Sequence, residues 1–251
     1  MKTFEIIEIL NQFKSLALKD ITEKAKMPKP TIFRILSTLQ KLNYVSLSND
    51  TQQYSLSYKF IAIAKDSING IDVVGVSKPY MSKLRDTFGE TINLAKLISN
   101  EAIFLYIVES NHQFRFVDTV GDKAPLHSTA IGKAIAAFLN EDELNDIFKN
   151  YDYTRFTKTT IQNFSDLKSH LTEVRKSGIS IDNEEGHEGV LCIGVPLFNA
   201  EHKPFAAISI SIPKVRAKKK LLEKIKQELP RVGIQISLEM GVTDIRKCLS
   251  I

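Results

Sequence analysis

Two prolines constrain the start of this chain, because they interrupt a helical pattern that otherwise runs from residue 18 to residue 42. Met27 precedes Pro28 and is therefore biased away from the helical region, whereas Pro28 and Pro30 are tolerated in the first turn of a helix. The pattern predicts two short helices joined by a tight turn. In the second helix, offsets of three, four and seven place four apolar residues on one buried stripe: Ile32, Ile35, Leu36 and Leu39.

The opposite face of the second helix carries Thr31, Arg34 and Thr38, which is typical of a helix that reads DNA. Many helical hairpins share this spacing, so the residues that follow matter. Residues 44–47 and 54–58 alternate apolar and polar side chains around a turn-rich segment, which predicts a β-hairpin. An N-terminal helix with Phe4, Ile7 and Leu10 on one face completes a predicted winged helix-turn-helix over residues 1–58.

The charge of this region supports a nucleic-acid partner. Residues 1–58 carry eight lysines and arginines against five acids, so most of the net charge of +5 lies in the smaller domain. Basic side chains would neutralise phosphates, while the polar face of the helix would reach base edges. The predicted DNA-binding residues are Lys29, Thr31, Arg34, Thr38 and Lys41. The alternative for these charges is a solvated surface, and a second basic run, residues 214–220, is interpreted as a solvated helix start.

Length and cysteine content limit the remaining possibilities. A chain of 251 residues suits a domain of about 60 residues followed by a larger one. The apolar runs are shorter than the roughly 20 residues of a membrane span, and a helical pattern begins at Met1, so neither a membrane segment nor a signal peptide is expected. The two cysteines, Cys192 and Cys248, favour a reduced, cytoplasmic setting over a disulfide framework.

Beyond the hairpin, residues 59–72 predict a linker helix and residues 73–88 a second helix that ends at Gly89. Three short runs then predict antiparallel strands at 91–98, 102–108 and 114–117. Helices are predicted from about residue 130, with Ser128 or Thr129 as N-cap, and over 141–148 and 164–177. Two more strands follow at 190–197 and 205–212. The fold class is therefore α+β, with residues 73–251 as the larger domain.

Two features of the larger domain suggest a binding site for a carboxylate. The first turn of the helix near Ala130 has unpaired amides, which attract anions. In the last strand, Ser209 and Ser211 alternate with isoleucines, so both hydroxyls point to one face, which is either buried or exposed to solvent. No phosphate loop surrounds Lys133, and the five histidines never lie three to five residues apart. We therefore expect no metal or other cofactor.

Several segments occur in an order that resembles the IclR family of bacterial transcriptional regulators: the winged helix, the linker helix, residues 121–134, residues 154–157, residues 182–192 and residues 205–211. The resemblance implies that the N-terminal domain binds a palindromic double-stranded DNA operator as a homodimer or homotetramer.

The resemblance also implies that the C-terminal domain is GAF-like and binds a small organic acid as effector. Carried over by motif, the effector-binding residues are Ala130, Ile131, Asp182, Val190, Cys192, Ser209 and Ser211, with Phe116 as a weaker candidate for the apolar wall. The family's wing often carries arginines, whereas residues 46–57 here contain no basic side chain. The expected function is that of a transcriptional regulator, and of a repressor in particular.

Two rival interpretations remain at this stage. In the first, the larger domain is an enzyme whose His127, Ser128, Asp182 and Cys192 converge; no nucleophile elbow surrounds Ser128, so no catalytic residue is expected. In the second, the GAF-like domain only dimerises and binds no ligand. The sequence favours neither over an effector-responsive regulator.

Overall fold

The computed structural model describes residues 2–60, 62 and 72–249. The chain divides into two compact units, residues 1–71 and residues 72–251. Most of the linker helix predicted over residues 59–72 lies outside the described residues. Among those that are described, no helix is long and apolar enough to cross a membrane.

The first unit is a winged helix-turn-helix, as predicted. Its elements are α1 (Lys2–Phe13), β1 (Ser15–Ala17), α2 (Leu18–Ala25), α3 (Lys29–Lys41), β2 (Val45–Leu47) and β3 (Gln53–Leu56). The strands form an antiparallel sheet in the order β1-β3-β2. The sequence analysis missed β1, because a three-residue strand is too short to show an alternating pattern.

The turn between α2 and α3 has the backbone that the prolines require. Lys26 caps α2 in the left-handed region with φ of 49°, and Pro28 directly precedes α3. The predicted stripe of α3 is buried at Ile32, Leu36 and Leu39, while Ile35 packs at its edge. The packing of α3 against the rest of the unit therefore follows the sequence pattern.

The predicted stripe of α1 is partly wrong. Ile6 and Leu10 are fully buried, whereas Phe4 is 70% exposed and Ile7 is only partly buried. Residues four apart lie above one another on a helix, so Ile6 and Leu10 form the face that joins the core. The three-residue spacing of Phe4, Ile7 and Leu10 predicted the wrong stripe, because the helical period aligns Leu10 more closely with Ile6.

The second unit consists of a six-stranded antiparallel sheet covered by helices. Its elements are α4 (Val73–Phe88), β4 (Thr91–Ile98), β5 (Glu101–Val108), β6 (Lys123–Ala124), α5 (Ala130–Ala136), α6 (Glu141–Phe148), α7 (Phe164–Ser177), β7 (Ser180–Asn183), β8 (Val190–Phe198), β9 (Pro204–Pro213) and α8 (Lys219–Glu239). The strand order is β6-β5-β4-β9-β8-β7. This arrangement is the α+β fold that the sequence predicted.

Both faces of the sheet are buried, and they pack against different helices. Ile208, Ile210 and Ile212 belong to the core that includes Met81 of α4 and Leu229 of α8. The opposite face packs against the core formed by α5, α6 and α7. The serines of β9 lie on that second face and are buried, so the solvent-exposed alternative for them is wrong.

Two strand predictions differ from the structure. Residues 114–117 form no strand: Phe114 is 69% exposed, whereas Phe116 packs against a small apolar cluster. Their alternation therefore comes from one partly buried aromatic ring rather than from sheet pairing. Conversely, β7 pairs with β8 although Ser180–Asn183 is short and polar.

The second basic run forms a short 3-10 turn at Lys214–Arg216 before α8 begins. Arg216 is not a solvated charge, because its guanidinium makes two bonds of 2.6 Å to the buried carboxylate of Glu90. This part of the run therefore fixes the start of the last helix against the strand that follows α4.

Candidate functional site

The first candidate site is the solvent-facing side of α3. Lys29, Arg34, Thr38 and Lys41 are exposed and Thr31 is half-buried, so the five predicted DNA-binding residues lie on or beside the face opposite the buried stripe. Within residues 2–60, as far as the structure describes them, no lysine or arginine forms a salt bridge. These positive charges are therefore available to an outside polyanion.

The hydrogen bonds of this helix refine the role of each side chain. The hydroxyl of Thr38 donates to the carbonyl oxygen of Arg34 at 2.9 Å, which leaves Thr38 able only to accept from a partner. Lys24 lies over the ring of Phe13 at 3.8 Å from its centroid. Arg34 has no such internal partner among the described residues and is the side chain of α3 best suited to reach a base edge.

Phe33 was missed by the sequence analysis. It lies on α3 between Ile32 and Arg34 and is 54% exposed. An aromatic residue outside the apolar stripe was the available signal, because the helical period placed it away from the core. Its ring can contact the methyl group of thymine in a major groove.

The second candidate site is a cavity of about 60 Å³ in the second unit. Six of the seven predicted effector-binding residues line it: Ala130, Ile131, Asp182, Cys192, Ser209 and Ser211. Val190 does not line the cavity but lies directly behind it, packed with Ala130, Cys192 and Phe116. Phe116 is itself a lining residue. The structure thus brings together strands β7, β8 and β9, the start of α5 and the segment before β6.

Six further residues line the cavity without having been predicted: Phe104, Asp118, Lys123, Pro125, Thr129 and His187. The rings of Phe116 and His187 contact each other, with centroids 4.6 Å apart and a tilt of 46° between their planes. Thr129 caps α5 by accepting a hydrogen bond from the amide of Gly132 at 2.9 Å. The amides of Ala130 and Ile131 belong to the first turn of α5 and have no intrahelical partner.

Part of the cavity lining consists of serine hydroxyls. Asn93 on β4 donates its side-chain amide to Ser211 at 2.9 Å and to Ser209 at 3.5 Å. Cys192 places its sulfur 3.2 Å from the Ser211 hydroxyl. Asn93 was missed because it lies on a strand more than a hundred residues away in sequence.

Two carboxyl groups, those of Asp182 and Asp118, also line the cavity. Asp182 accepts hydrogen bonds through one carboxylate oxygen from the amides of Glu185, at 2.7 Å, and Gly186, at 3.3 Å. Burial nevertheless raises the pKa of Asp182 to about 7. Burial, reinforced by the charge of Asp122, raises the pKa of Asp118 to about 6.

The loop that follows Asp182 is held by a buried ion pair. Lys133 of α5 is fully buried and lies 2.5 Å from the carboxylate of Glu185, and it also donates to the carbonyl of Ile181 at 2.7 Å. From the other side, the hydroxyls of Thr157 and Thr160 donate to the carbonyls of residues 184 and 185. The Thr154–Thr157 motif therefore supports the loop that follows Asp182, through the hydroxyl of Thr157.

Two close backbone contacts set the position of α5. A Cβ atom at Gly132 would lie 2.5 Å from the Cα of Leu126, and one at Gly194 would lie 2.8 Å from the carbonyl oxygen of Ala130. Neither backbone neighbour can move aside easily, so both positions require glycine. The start of α5 is thereby pressed onto β8, which brings Ala130 to the cavity.

The residues of the enzyme interpretation do not converge. His127 lies outside the cavity lining, where its ring nitrogens contact the Tyr151 hydroxyl at 3.3 Å and the Thr154 carbonyl at 3.1 Å. Burial raises the pKa of the Cys192 thiol well above its ordinary value, which keeps it in the weakly nucleophilic neutral form. Among the described residues, no group of three side chains could hold a metal ion.

Comparison with known proteins gives the same picture for both units. Residues 1–47 match the IclR helix-turn-helix domain, and residues 65–238 match the C-terminal domain of the bacterial transcriptional regulator IclR. The chain is 30% identical over 244 residues to the HTH-type transcriptional regulator KdgR of Escherichia coli, covering 97% of this chain and 93% of that protein.

Solved structures show the same fold. The crystal structure of Thermotoga maritima IclR is 28% identical, covers 96% of this chain and 97% of its own, and superposes with a TM-score of 0.66. The repressor BlcR of Agobacterium tumefaciens shares the fold at 22% identity, with 95% of each chain covered and a TM-score of 0.78. The family and these relatives are regulators rather than enzymes. The protein is a DNA-binding transcriptional regulator of the IclR family.

Proposed function

We propose that a small organic acid binds in the cavity of the second unit and modulates the binding of this regulator to its operator. The carrying observation is that Ala130, Ile131, Asp182, Cys192, Ser209 and Ser211 line one cavity. The hydroxyl groups of the two serines can donate to a carboxylate, while Phe116 and Cys192 provide apolar walls. Asp182 orders the loop that follows β7, and it can accept a hydrogen bond from a ligand hydroxyl.

The DNA-binding part of the proposal assigns roles along α3. Arg34 and Thr31 contact bases or phosphates, Thr38 accepts a hydrogen bond, and Lys29 and Lys41 position the domain on the backbone. The wing contributes little charge, because residues 46–57 contain no lysine or arginine. We assign residues 1–58 to DNA binding, residues 59–72 to a linker helix and residues 73–251 to the effector domain.

The proposed assembly is a homodimer or homotetramer on two operator half-sites, since two-fold symmetric proteins match palindromic DNA. BlcR is described as a repressor, and repression is the mode proposed for this chain. Effector binding would change the assembly of the subunits and hence the spacing of their recognition helices.

The test is operator binding by the full-length protein to the DNA upstream of its own gene, titrated with small organic acids at fixed salt. Coupling of typically 1–3 kcal/mol predicts a change in operator affinity of about 5- to 150-fold. The double variant Ser209→Ala, Ser211→Ala should bind the operator normally and lose the response. Tight operator binding that no acid alters would contradict effector control and leave the second unit as an assembly module.

A further inference from the structure

Helix α3 exposes one large aromatic side chain, that of Phe33, outside its buried stripe. Phe33 is 54% exposed, whereas Ile32, directly before it, is fully buried in the core of the first unit. Among the described residues, no aromatic ring stacks on the Phe33 ring and no lysine or arginine lies over it. An aromatic ring gains free energy when it leaves water, so this ring is available to a partner outside the chain.

The helical period places Phe33 beside Arg34 on the exposed side of α3. Successive residues on an α-helix are about 100° apart, so the two side chains point to adjacent parts of that side. Pro30 and Ser37, three residues before Phe33 and four after it, lie in line with it along the helix, and both are smaller than the ring. Because α3 begins at Lys29, Phe33 lies in the N-terminal half of the helix, the part that contacts base edges in helix-turn-helix proteins.

The charges around Phe33 favour DNA over a protein as the partner of its ring. Lys29, four residues before Phe33, and Arg34, directly after it, are both exposed. Neither forms a salt bridge within the part of the chain that the structure describes. The core of a protein interface is depleted of charged residues, whereas a surface that binds DNA needs cations for the phosphates. An aromatic ring between two free cations therefore suits a DNA groove.

Phe4 of α1 provides the contrast within the same unit. It is 70% exposed, more than Phe33, but its neighbours on the helix are acidic. Glu5 follows it directly and Glu8 lies four residues further on, and both carboxylates are exposed. Carboxylates at these positions would repel DNA phosphates. Exposure of an aromatic ring alone therefore does not indicate DNA contact, and Phe4 serves as a control for Phe33.

We propose that Phe33 is a specificity-determining residue that contacts the 5-methyl group of a thymine in the major groove of each operator half-site. Thymine presents this methyl group in the major groove, and apolar side chains contact it there. A phenyl ring carries no charge to pair with a phosphate, so its contribution depends on the base rather than on the DNA backbone. The inference rests on the proposed placement of α3 against the operator and adds a base that this helix selects.

Replacement of thymine by uracil tests the contact, because the two bases differ only by this methyl group. The full-length protein first selects its operator from random duplexes at fixed salt, and each thymine is then replaced by deoxyuridine in turn, symmetrically in both half-sites. At one position, fluorescence anisotropy should show that the wild-type protein loses about fourfold in affinity per half-site, as expected for one methyl group returned to water. Phe33→Ala should bind the thymine operator at least that much more weakly, and it should not distinguish uracil from thymine at that position.

Two controls separate a base contact from a general weakening of DNA binding. Phe4→Ala should keep the wild-type ratio of the thymine and uracil affinities, because a change in folding or assembly acts equally on both operators. Phe33→Ala should also keep the wild-type dependence of operator affinity on salt concentration, since it removes no contact to a phosphate.

The outcomes distinguish the role of Phe33 from the placement of α3. If Phe33→Ala keeps the wild-type ratio at every thymine, the proposed role of Phe33 is overturned, even where the variant binds DNA more weakly. A wild-type protein that binds uracil and thymine operators equally at every position would overturn it too. Full operator affinity in Arg34→Ala together with Lys29→Ala would instead remove α3 from the interface, and the proposed placement would fail first.

Discussion

The two candidate sites handle charge in opposite ways. On α3 the basic residues Lys29, Arg34 and Lys41 have no acidic partner among the described residues. In the second unit the central charge, Lys133, is fully buried and paired with Glu185 at 2.5 Å. Charge in the first unit is left for a polyanion in solution, whereas charge in the second unit fixes the loop that forms the pocket. DNA binding at the first site should therefore weaken as the salt concentration rises. The second site should instead be sensitive to loss of an ion-pair partner and to pH.

Breaking the buried ion pair should have the largest effect. Lys133→Met leaves the Glu185 carboxylate buried without a counter-charge, which typically costs about 3–5 kcal/mol. Urea unfolding followed by circular dichroism measures the loss. The matched control is Lys168→Met, because Lys168 forms an exposed salt bridge with Glu141 at 3.0 Å and should contribute less than about 1 kcal/mol. Equal losses in the two variants would show that burial does not distinguish these pairs.

The parts of the fold that the sequence predicted are those with local signals. Helices α4, α6 and α7 have the predicted bounds, because Asp72, Asn140 and Asn163 cap their first turns. Gly89 and Gly178 end α4 and α7 in the left-handed conformation. Each of these signals lies within a few residues of the element that it controls, so reading along the chain is enough to find it.

The pocket depends on contacts that no local pattern reveals. The alternation of β9 showed that Ser209 and Ser211 share a face, but only the sheet order β4-β9 brings Asn93 beside them. Asp118 lies in a segment without regular structure, where periodicity gives no information. The motifs in the sequence predicted most of the lining residues. They did not predict Asn93 and Asp118, which lie outside those motifs in the chain.

The second prediction addresses the exposed site. Arg34→Ala should lower operator affinity by about 1–3 kcal/mol, roughly 5- to 150-fold, and should leave acid binding unchanged. Operator and acid titrations of the same preparation measure both. Arg34→Lys distinguishes the two contacts open to this side chain: it keeps the charge needed for a phosphate but loses the planar fork that reads guanine. Full operator affinity in Arg34→Ala would remove Arg34 from the interface.

The smallest expected effect is that of pH on the affinity for the acid effector. It separates the two sites most directly. The pKa of Asp118 is raised to about 6 and that of Asp182 to about 7. Both carboxyl groups are therefore largely protonated near pH 5.5 and ionised near pH 8. Ionisation adds negative charge beside a bound carboxylate, so acid affinity should fall by about tenfold over this range, with proton uptake on binding that is greatest between about pH 6 and pH 8.

The other titratable groups facing the cavity do not reverse this sign. Burial lowers the pKa of His187, and protonation of its ring at acid pH would favour a bound anion in the same direction. Burial raises the pKa of the Cys192 thiol, which keeps it neutral, and Lys123 is paired with Glu101. Calorimetry in buffers of different ionisation enthalpy measures the proton uptake. Asp182→Asn should flatten the profile, whereas Asp122→Asn should keep it and shift only the Asp118 titration to lower pH, because the charge of Asp122 helps to raise that pKa. An acid affinity that rises with pH would contradict the assignment, because ionisation of Asp118 and Asp182 places negative charge beside the bound anion and can only weaken its binding.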